Sequence, residues 1–373
     1  MSDSERSELT RRGFLQAAGS TLLAAQVPNL KLPPAPGKKL GVALVGLGSL
    51  AVFQLMPAFA RAERVKLTAF VSGRPDKAKQ LAQRYGVSEK NIYNYDAFDS
   101  LASNPDIDIV YIVLPNSMHA EYTIRALKAG KHVLCEKPMA NTPQECEQMI
   151  AAAKAANRKL QIGYRLHYEP FNQAMIKMAR DQEFGPTRVI LTDAAFSIGD
   201  PTQWRLRKAM AGGGSMMDIG IYALNAARYL SGEEPIEVNA MSYTTPNDPR
   251  FTEVEETTLF QLRFPSGVLA NCTSSYGCGV NRFRVVGTKG AFELEPALSY
   301  EGLRMRVMRG GTIEERNPPV RNHFAAEMDA LAECIMNGTE SQTPGEEGLR
   351  DLRIITAIYE SAKTGRPVKL SPA

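Results

Sequence analysis

Residues 40–51 read LGVALVGLGSLA, and this stretch decides the fold. Leu40 to Val45 is a short apolar β-run. Gly46-Leu47-Gly48-Ser49-Leu50-Ala51 follows and opens a helical pattern that continues through Ala60. Strand, GxGxxA turn and helix in that order form a dinucleotide-binding fingerprint. Gly46 permits the tight turn, Gly48 lets the backbone approach a pyrophosphate, and Ala51 allows close helix–strand packing. The helix N-terminus offers its free N–H groups to the phosphates. Gly46, Leu47, Gly48, Ser49 and Leu50 are therefore cofactor-binding candidates.

The next strand, Lys66 to Val71, ends in Ser72-Gly73-Arg74-Pro75-Asp76-Lys77. A site for NAD usually carries Asp or Glu at this strand end, bonded to the ribose 2′-hydroxyl. Here stands a hydroxyl, Ser72, then Gly73, with Arg74 and Lys77 close behind. Two cations suit a 2′-phosphate, so the cofactor reads as NADP. A solvated basic loop is the plainer alternative.

Outward from there, helix Pro75 to Tyr85, β-run Asp108 to Leu114, helix Ala120 to Ala129 and strand His132 to Cys135 alternate. The run DIVYIVL is continuously apolar, as a parallel strand covered on both faces should be. The pattern predicts a doubly wound parallel sheet, a Rossmann domain, over residues 38–160. Ligands bind beyond the carboxyl ends of such strands. Asn116, His119, Glu136 and Lys137 lie there; His119 reads equally well as a capping or packing histidine.

After residue 160 the pattern changes. Strands are expected at 160–165, 187–198, 236–244, 255–264, 267–276, 281–287 and 290–295, and helices at 167–181, 322–337 and 345–364. Successive strands with short turns predict an α+β domain over 161–373, built on a large, mostly antiparallel open sheet. Its second face is expected to be covered in an oligomer.

Composition bounds the function. Lys+Arg 44 against Asp+Glu 40 is too balanced for a nucleic-acid or anionic-membrane binder. No apolar stretch reaches the roughly 18–20 residues of a spanning helix. Five cysteines without a CxxC pair argue against a disulfide framework or a structural zinc site, and no metal is expected. Residues 1–37 read as a leader: Thr10-Arg11-Arg12-Gly13-Phe14-Leu15-Gln16, a short apolar run to Val27, then a Pro/Lys-rich segment. The arginine pair ahead of Phe-Leu resembles a twin-arginine export signal, which predicts a periplasmic protein.

Residues 203–229 carry the chemistry. Gly212-Gly213-Gly214-Ser215 opens a helix with Asp218 and Tyr222 four residues apart, on one face. A tyrosine hydroxyl ordinarily titrates near about 10, and a neighbouring ammonium favours its phenolate. Lys137 is the natural neighbour. A Tyr–Lys pair can take a proton from a sugar hydroxyl as hydride leaves the same carbon.

GLGxxA at 46–51, PNSMHA at 115–120, CEKP at 135–138, GYR at 163–165, QWRLR at 203–207 and AGGGSMMDIGIY at 211–222 together resemble the glucose–fructose oxidoreductase/inositol dehydrogenase family. The likeness runs from residue 39 to about 367. It implies that Lys137 orients or polarises the reacting hydroxyl, that Tyr222 is the acid/base, and that Asp218 binds a substrate hydroxyl. It also implies that Tyr164, Arg165, Trp204, Arg205 and Tyr276 line the nicotinamide and sugar pocket. The expected activity oxidises an aldose at C1 to a lactone with tightly held NADP, then reduces a second open-chain sugar to an alditol. An ordinary NADP-dependent sugar or inositol dehydrogenase is the alternative, and a non-catalytic NADP-sensing protein a remote one. The short N-terminal arm and the absence of an aromatic C-terminal tail favour a dimer over the tetramer of some members.

Overall fold

The computed structural model describes residues 39–370, so the leader expected at 1–37 lies outside it. Among the described residues no helix is long and apolar enough to cross a membrane. The first sheet contains β1 (Leu40–Val45), β2 (Val65–Val71), β3 (Ile92–Tyr93), β4 (Ile109–Ile112), β5 (His132–Glu136) and β6 (Leu160–Gly163). All neighbours are parallel, in the order β3-β2-β1-β4-β5-β6. The order reverses between β1 and β4, which opens a crevice at their carboxyl ends. Val42 to Val45 and Ile109 to Ile112 are almost wholly buried, because helices cover both faces.

The helices of this half are α1 (Met56–Phe59), α2 (Pro75–Tyr85), α3 (His119–Lys128) and α4 (Pro143–Ala156). The helix expected from the glycine turn to Ala60 begins instead with a wide π-turn, Ala51–Leu55. Pro57, just beyond it, has no N–H to give to the preceding turn. Helix α4 was not anticipated, although Thr142 and Glu145 form a complete capping box at its start. Strand β6 pairs with β5, so the strand expected to begin the second domain closes the first sheet.

The second sheet comprises β7 (Thr187–Ala195), β8 (Glu237–Tyr243), β9 (Thr257–Arg263), β10 (Leu269–Ser275), β11 (Val280–Gly287), β12 (Gly290–Leu294), β13 (Met305–Arg309), β14 (Thr312–Glu315) and β15 (Val368–Lys369). Their order is β14-β13-β12-β11-β7-β10-β9-β8-β15. Every pair is antiparallel except β7 with β10. Strands β13 to β15 were not anticipated; β14 is exposed throughout, so it shows no period-2 apolar pattern. Ile190, Ala240, Phe260, Leu262, Ala270, Phe283 and Val285 face the core. The remaining helices are α5 (Pro170–Arg180), α6 (Lys208–Ala211), α7 (Ile221–Ser231), α8 (His323–Asn337) and α9 (Gly345–Thr364). On the opposite face Met241, Leu259 and Leu269 are 73%, 49% and 48% exposed. The five cysteines are free; Cys272 is buried and Cys278 exposed.

Helix α7 is anchored by charge. Arg228 is buried, and its guanidinium meets Glu234 at 2.7 Å, Glu347 at 2.7 Å and Asp351 at 2.5 Å. Glu347 and Asp351 stand on α9, so this network ties α7 to α9. Removing one partner strands a buried charge. Arg228→Met should therefore lower unfolding stability by about 3–5 kcal/mol, read as a shift in the urea midpoint. A loss below about 1 kcal/mol would mean that the network is not what fixes α7.

Candidate active site

The crevice begins at the glycine turn. Gly46 has φ +91°, and a Cβ there would lie 2.3 Å from the Val113 carbonyl oxygen, so no other residue fits. A Cβ on exposed Gly48 would meet nothing within 4 Å. The turn thus presents bare backbone to open space, with Ser49 exposed and Leu50 half-buried beside it. Lys77 reaches back from α2 and donates to the Leu47 carbonyl at 2.6 Å. Ser72 is buried at the end of β2, and its Oγ accepts from the Arg74 N–H at 3.1 Å. Gly73 and Arg74 are exposed. These residues fit a dinucleotide: free N–H groups at the turn, a lysine against it, and no acid at the end of β2.

Two residues expected to contact the cofactor are occupied otherwise. Asn116 is buried and donates to the Ala211 carbonyl at 2.9 Å. His119 is buried, and each ring nitrogen lies 2.8 Å from a carbonyl oxygen, one of Pro138 and one of Leu114. It therefore pins the end of β4 to the Lys137-Pro138 segment; the packing alternative describes it.

Lys137 projects from the end of β5 toward α7. Its Nζ donates to the Asp218 carbonyl at 2.5 Å, lies 3.3 Å from Asp218 Oδ1, and sits 4.6 Å from the Tyr222 ring centre. Asp218 Oδ2 accepts from Arg205 Nε at 3.0 Å and from the Tyr276 hydroxyl at 2.9 Å. Burial alone would raise the Asp218 pKa, but Arg205, Lys137 and the Tyr276 hydroxyl hold it at about 2. Burial disfavours the Lys137 ammonium, yet Tyr222, Asp218 and Glu136 raise its pKa above that of a free lysine. Tyr222 accepts a hydrogen bond from Arg165 Nε at 3.1 Å. Arg165 is buried, donates to the Leu298 carbonyl at 2.5 Å, and lies over the rings of Tyr222 and Tyr300.

The glycine run has a steric origin. A Cβ on Gly213 would lie 2.1 Å from the Tyr359 hydroxyl, and one on Gly214 would lie 2.1 Å from the Glu255 carbonyl. The close approach lets Glu255 accept from the N–H groups of Gly214 and Met216, both at 2.9 Å. This caps the π-turn Met216–Gly220 that carries Asp218 and leads into α7.

The structure thus brings Lys137, Asp218, Tyr222, Arg165, Arg205 and Tyr276 together. Trp204 is half-buried at the rim with Arg205 stacked 4.6 Å over it. Two substrate assignments need correction. Tyr164 is only 2% exposed and is directed toward Asp351, Glu347 and Arg228, away from the pocket. Both carboxylate oxygens of Asp218 are engaged by protein donors, so it holds Lys137 and Arg205 in place. Glu255 and Tyr300 were not anticipated. The glycine run hints that something packs close against it, but nothing marks Tyr300, which lies outside any periodic element.

Comparison with known proteins places this geometry. A family described as an oxidoreductase family with an NAD-binding Rossmann fold matches residues 40–164. The C-terminal alpha/beta domain of the same family matches residues 177–370. The chain belongs to the glucose–fructose oxidoreductase/inositol dehydrogenase/MocA family. It is 54% identical to an aldose–aldose oxidoreductase from Caulobacter crescentus, covering 89% of this chain and 100% of that one at a TM-score of 0.88. It is 32% identical to a D-xylose 1-dehydrogenase [NADP(+)] from Haloarcula marismortui, over 88% of this chain and 92% of the relative. A D-glucoside 3-dehydrogenase from Escherichia coli is 27% identical, over 89% of this chain and 97% of its own length.

Asp218 supplies a pH prediction. Its pKa is lower folded than unfolded, so its stabilisation is complete above the ordinary 3.8 and is lost as pH falls toward about 2. The stability difference between wild type and Asp218→Asn should be constant from pH 5 to 8 and shrink below about pH 4. Urea titrations across that range measure it; a difference that persists at the acid end contradicts the assignment.

Proposed function

We propose that the protein oxidises an aldose at C1 to an aldonolactone and reduces a second open-chain sugar to an alditol, keeping one NADP throughout. The observation that carries this reading is a Lys137–Tyr222–Arg165 cluster at the mouth of a dinucleotide crevice, in a chain 54% identical to an aldose–aldose oxidoreductase. That likeness favours an aldose over fructose as the second sugar. NADP, rather than NAD, is favoured by Ser72, Arg74 and Lys77 after β2.

A nicotinamide dinucleotide held at the Gly46–Leu50 turn and Lys77 would supply the hydride-transfer chemistry. The chain supplies the proton chemistry. Arg165 can only donate, so its bond to Tyr222 supports a phenolate that accepts the sugar proton in the first half and leaves the resulting O–H free to return it in the second. Tyr222 takes the C1 hydroxyl proton in the first half of the cycle and gives it to the acceptor's carbonyl oxygen in the second. Lys137 and Arg165 place positive charge beside Tyr222, where negative charge develops during proton transfer. Asp218 keeps Lys137 at that position.

Retained cofactor also fits the leader-like N-terminus. A protein exported folded by the twin-arginine route would carry NADP into the periplasm, and each cycle would return the cofactor to its starting state. The partly apolar outer face of the large sheet, with Met241, Leu259 and Leu269, suits pairing in a dimer. The 32% identity to an NADP-dependent xylose dehydrogenase favours a second reading, an enzyme that exchanges its cofactor.

Purified without added nucleotide, the protein should show bound-nucleotide absorbance. Glucose alone should raise the reduced-nicotinamide band by about one equivalent, and a second aldose should reset it. Activity only on adding NADP would leave the exchanging dehydrogenase. Tyr222→Phe and Lys137→Ala should keep the nucleotide and lose about 10²–10⁴-fold in turnover; unchanged turnover in either would sink the proton scheme.

A further inference from the structure

Behind Lys137 and Tyr222 lie two carboxyl groups that the proton scheme does not use. Glu136 ends β5 and Glu327 sits on α8; they are 7% and 0% exposed. Strand β6 brings them to one place. Gln161 donates from Nε2 to the Glu327 carbonyl at 3.0 Å, and a Cβ on Gly163 would lie 3.2 Å from the Glu136 carboxyl. Gln161 and Gly163 are two residues apart and so share a face of that strand. The Tyr111 hydroxyl donates to Glu136 Oε1 at 2.7 Å and also bears on Glu327. Among the described residues, neither carboxyl oxygen of Glu327 has a hydrogen-bond partner.

A carboxylate without solvent and without donors is far costlier than a neutral acid. Glu327 should therefore carry a proton, and Glu136, near enough to push the Glu327 pKa up and held by the Tyr111 hydroxyl, is the carboxyl group that can share it. The cations nearby favour one ionised carboxylate in the pair over two neutral acids. Arg165 and Lys137 are cations, and Tyr111 and Tyr168 are buried phenols with raised pKa values. Burial, with Arg165 nearby, lowers the His323 pKa to about 3, so that imidazole is neutral. Burial pushes both glutamates upward, and Glu136 pushes Glu327 further.

We propose that Glu136 and Glu327 hold one proton between them, and that this proton leaves the buried pocket around Tyr222 with one positive charge in excess. Lys137, Arg165 and Arg205 are cationic; Asp218 contributes one negative charge and the carboxyl pair another. The excess equals the charge of a Tyr222 phenolate, the form that accepts the sugar proton. A second ionised carboxylate would cancel it. Glu327 thus adds no charge of its own to the pocket while Glu136 supplies the pair's single negative charge, and this reading rests on the acid/base role of Tyr222.

Infrared spectra of the holoprotein test the pair directly. At neutral pH a protonated-carboxyl band, shifted by deuterium, should be present in wild type and absent in Glu327→Gln. The pH profile for reduction of bound nucleotide by glucose should superimpose for wild type and Glu327→Gln. Glu136→Gln, which removes the remaining negative charge, should move the rising limb about one unit or more to lower pH. A spectrum with no Glu327-dependent band overturns the proposal, as does a Glu327→Gln profile displaced like that of Glu136→Gln. If Glu327→Gln does not fold, neutron diffraction from wild-type crystals should show one deuteron on the pair, and none would overturn it. The infrared and neutron readouts do not need turnover, so an inactive protein would refute the sugar reading alone.

Discussion

The site depends on the carboxylate of Asp218. It receives Lys137 from the end of the first sheet, Arg205 from the rim loop and Tyr276 from the end of the second sheet. Burying a charge pair costs desolvation that Coulomb attraction alone often fails to offset. Here the carboxylate has a donor on each oxygen and two cations beside it. The interaction therefore joins the nucleotide-binding half to the sugar-binding half at the atoms where chemistry is proposed. Without it, Lys137 would be left near Arg165 and Arg205 with no opposite charge in contact.

The helix that carries Asp218 and Tyr222 is held at both ends by different means. At its start Glu255 caps the N–H groups of Gly214 and Met216, which only glycines allow at that approach. Near its end Arg228 binds Glu234, Glu347 and Asp351. Between the two, Asn225 links His167 to Glu347 and Asp351. The position of Tyr222 is thus fixed by groups that never touch a substrate. Catalytic geometry of this kind tolerates little displacement, so such anchoring bears on rate as well as on stability.

How much of this was legible follows from what a linear sequence encodes. The turn at Gly46 was legible because its steric demand is local and its strand–turn–helix context is contiguous. Lys137 and Tyr222 were legible because each stands at an identifiable end of an element, and the family resemblance covers both. Tyr164 was misassigned because the motif GYR does not say which way its middle side chain turns; the interior network claims it. His119 was ambiguous because a histidine at a helix start serves equally as a cap, a packing group or a ligand. Strand β14 lacks an apolar face and left no periodic trace. The environments of Glu255 and Glu327 were invisible because a glutamate reads as a surface residue until the fold buries it.

Those buried acids bear on which substrates the pocket accepts. The charged groups around Tyr222 are largely satisfied by one another: Asp218 by three donors, Arg165 by Leu298 and Tyr222. What remains for a ligand includes the Tyr222 oxygen, the Lys137 ammonium beside it and Arg165 Nη1, which has no hydrogen-bond partner among the described residues. Sites built to pair with a hydroxyl discriminate strongly against analogues that lack it, because their own polar groups are then left unpaired. A pocket of this kind demands a hydroxyl, or the carbonyl derived from it, at the reacting carbon.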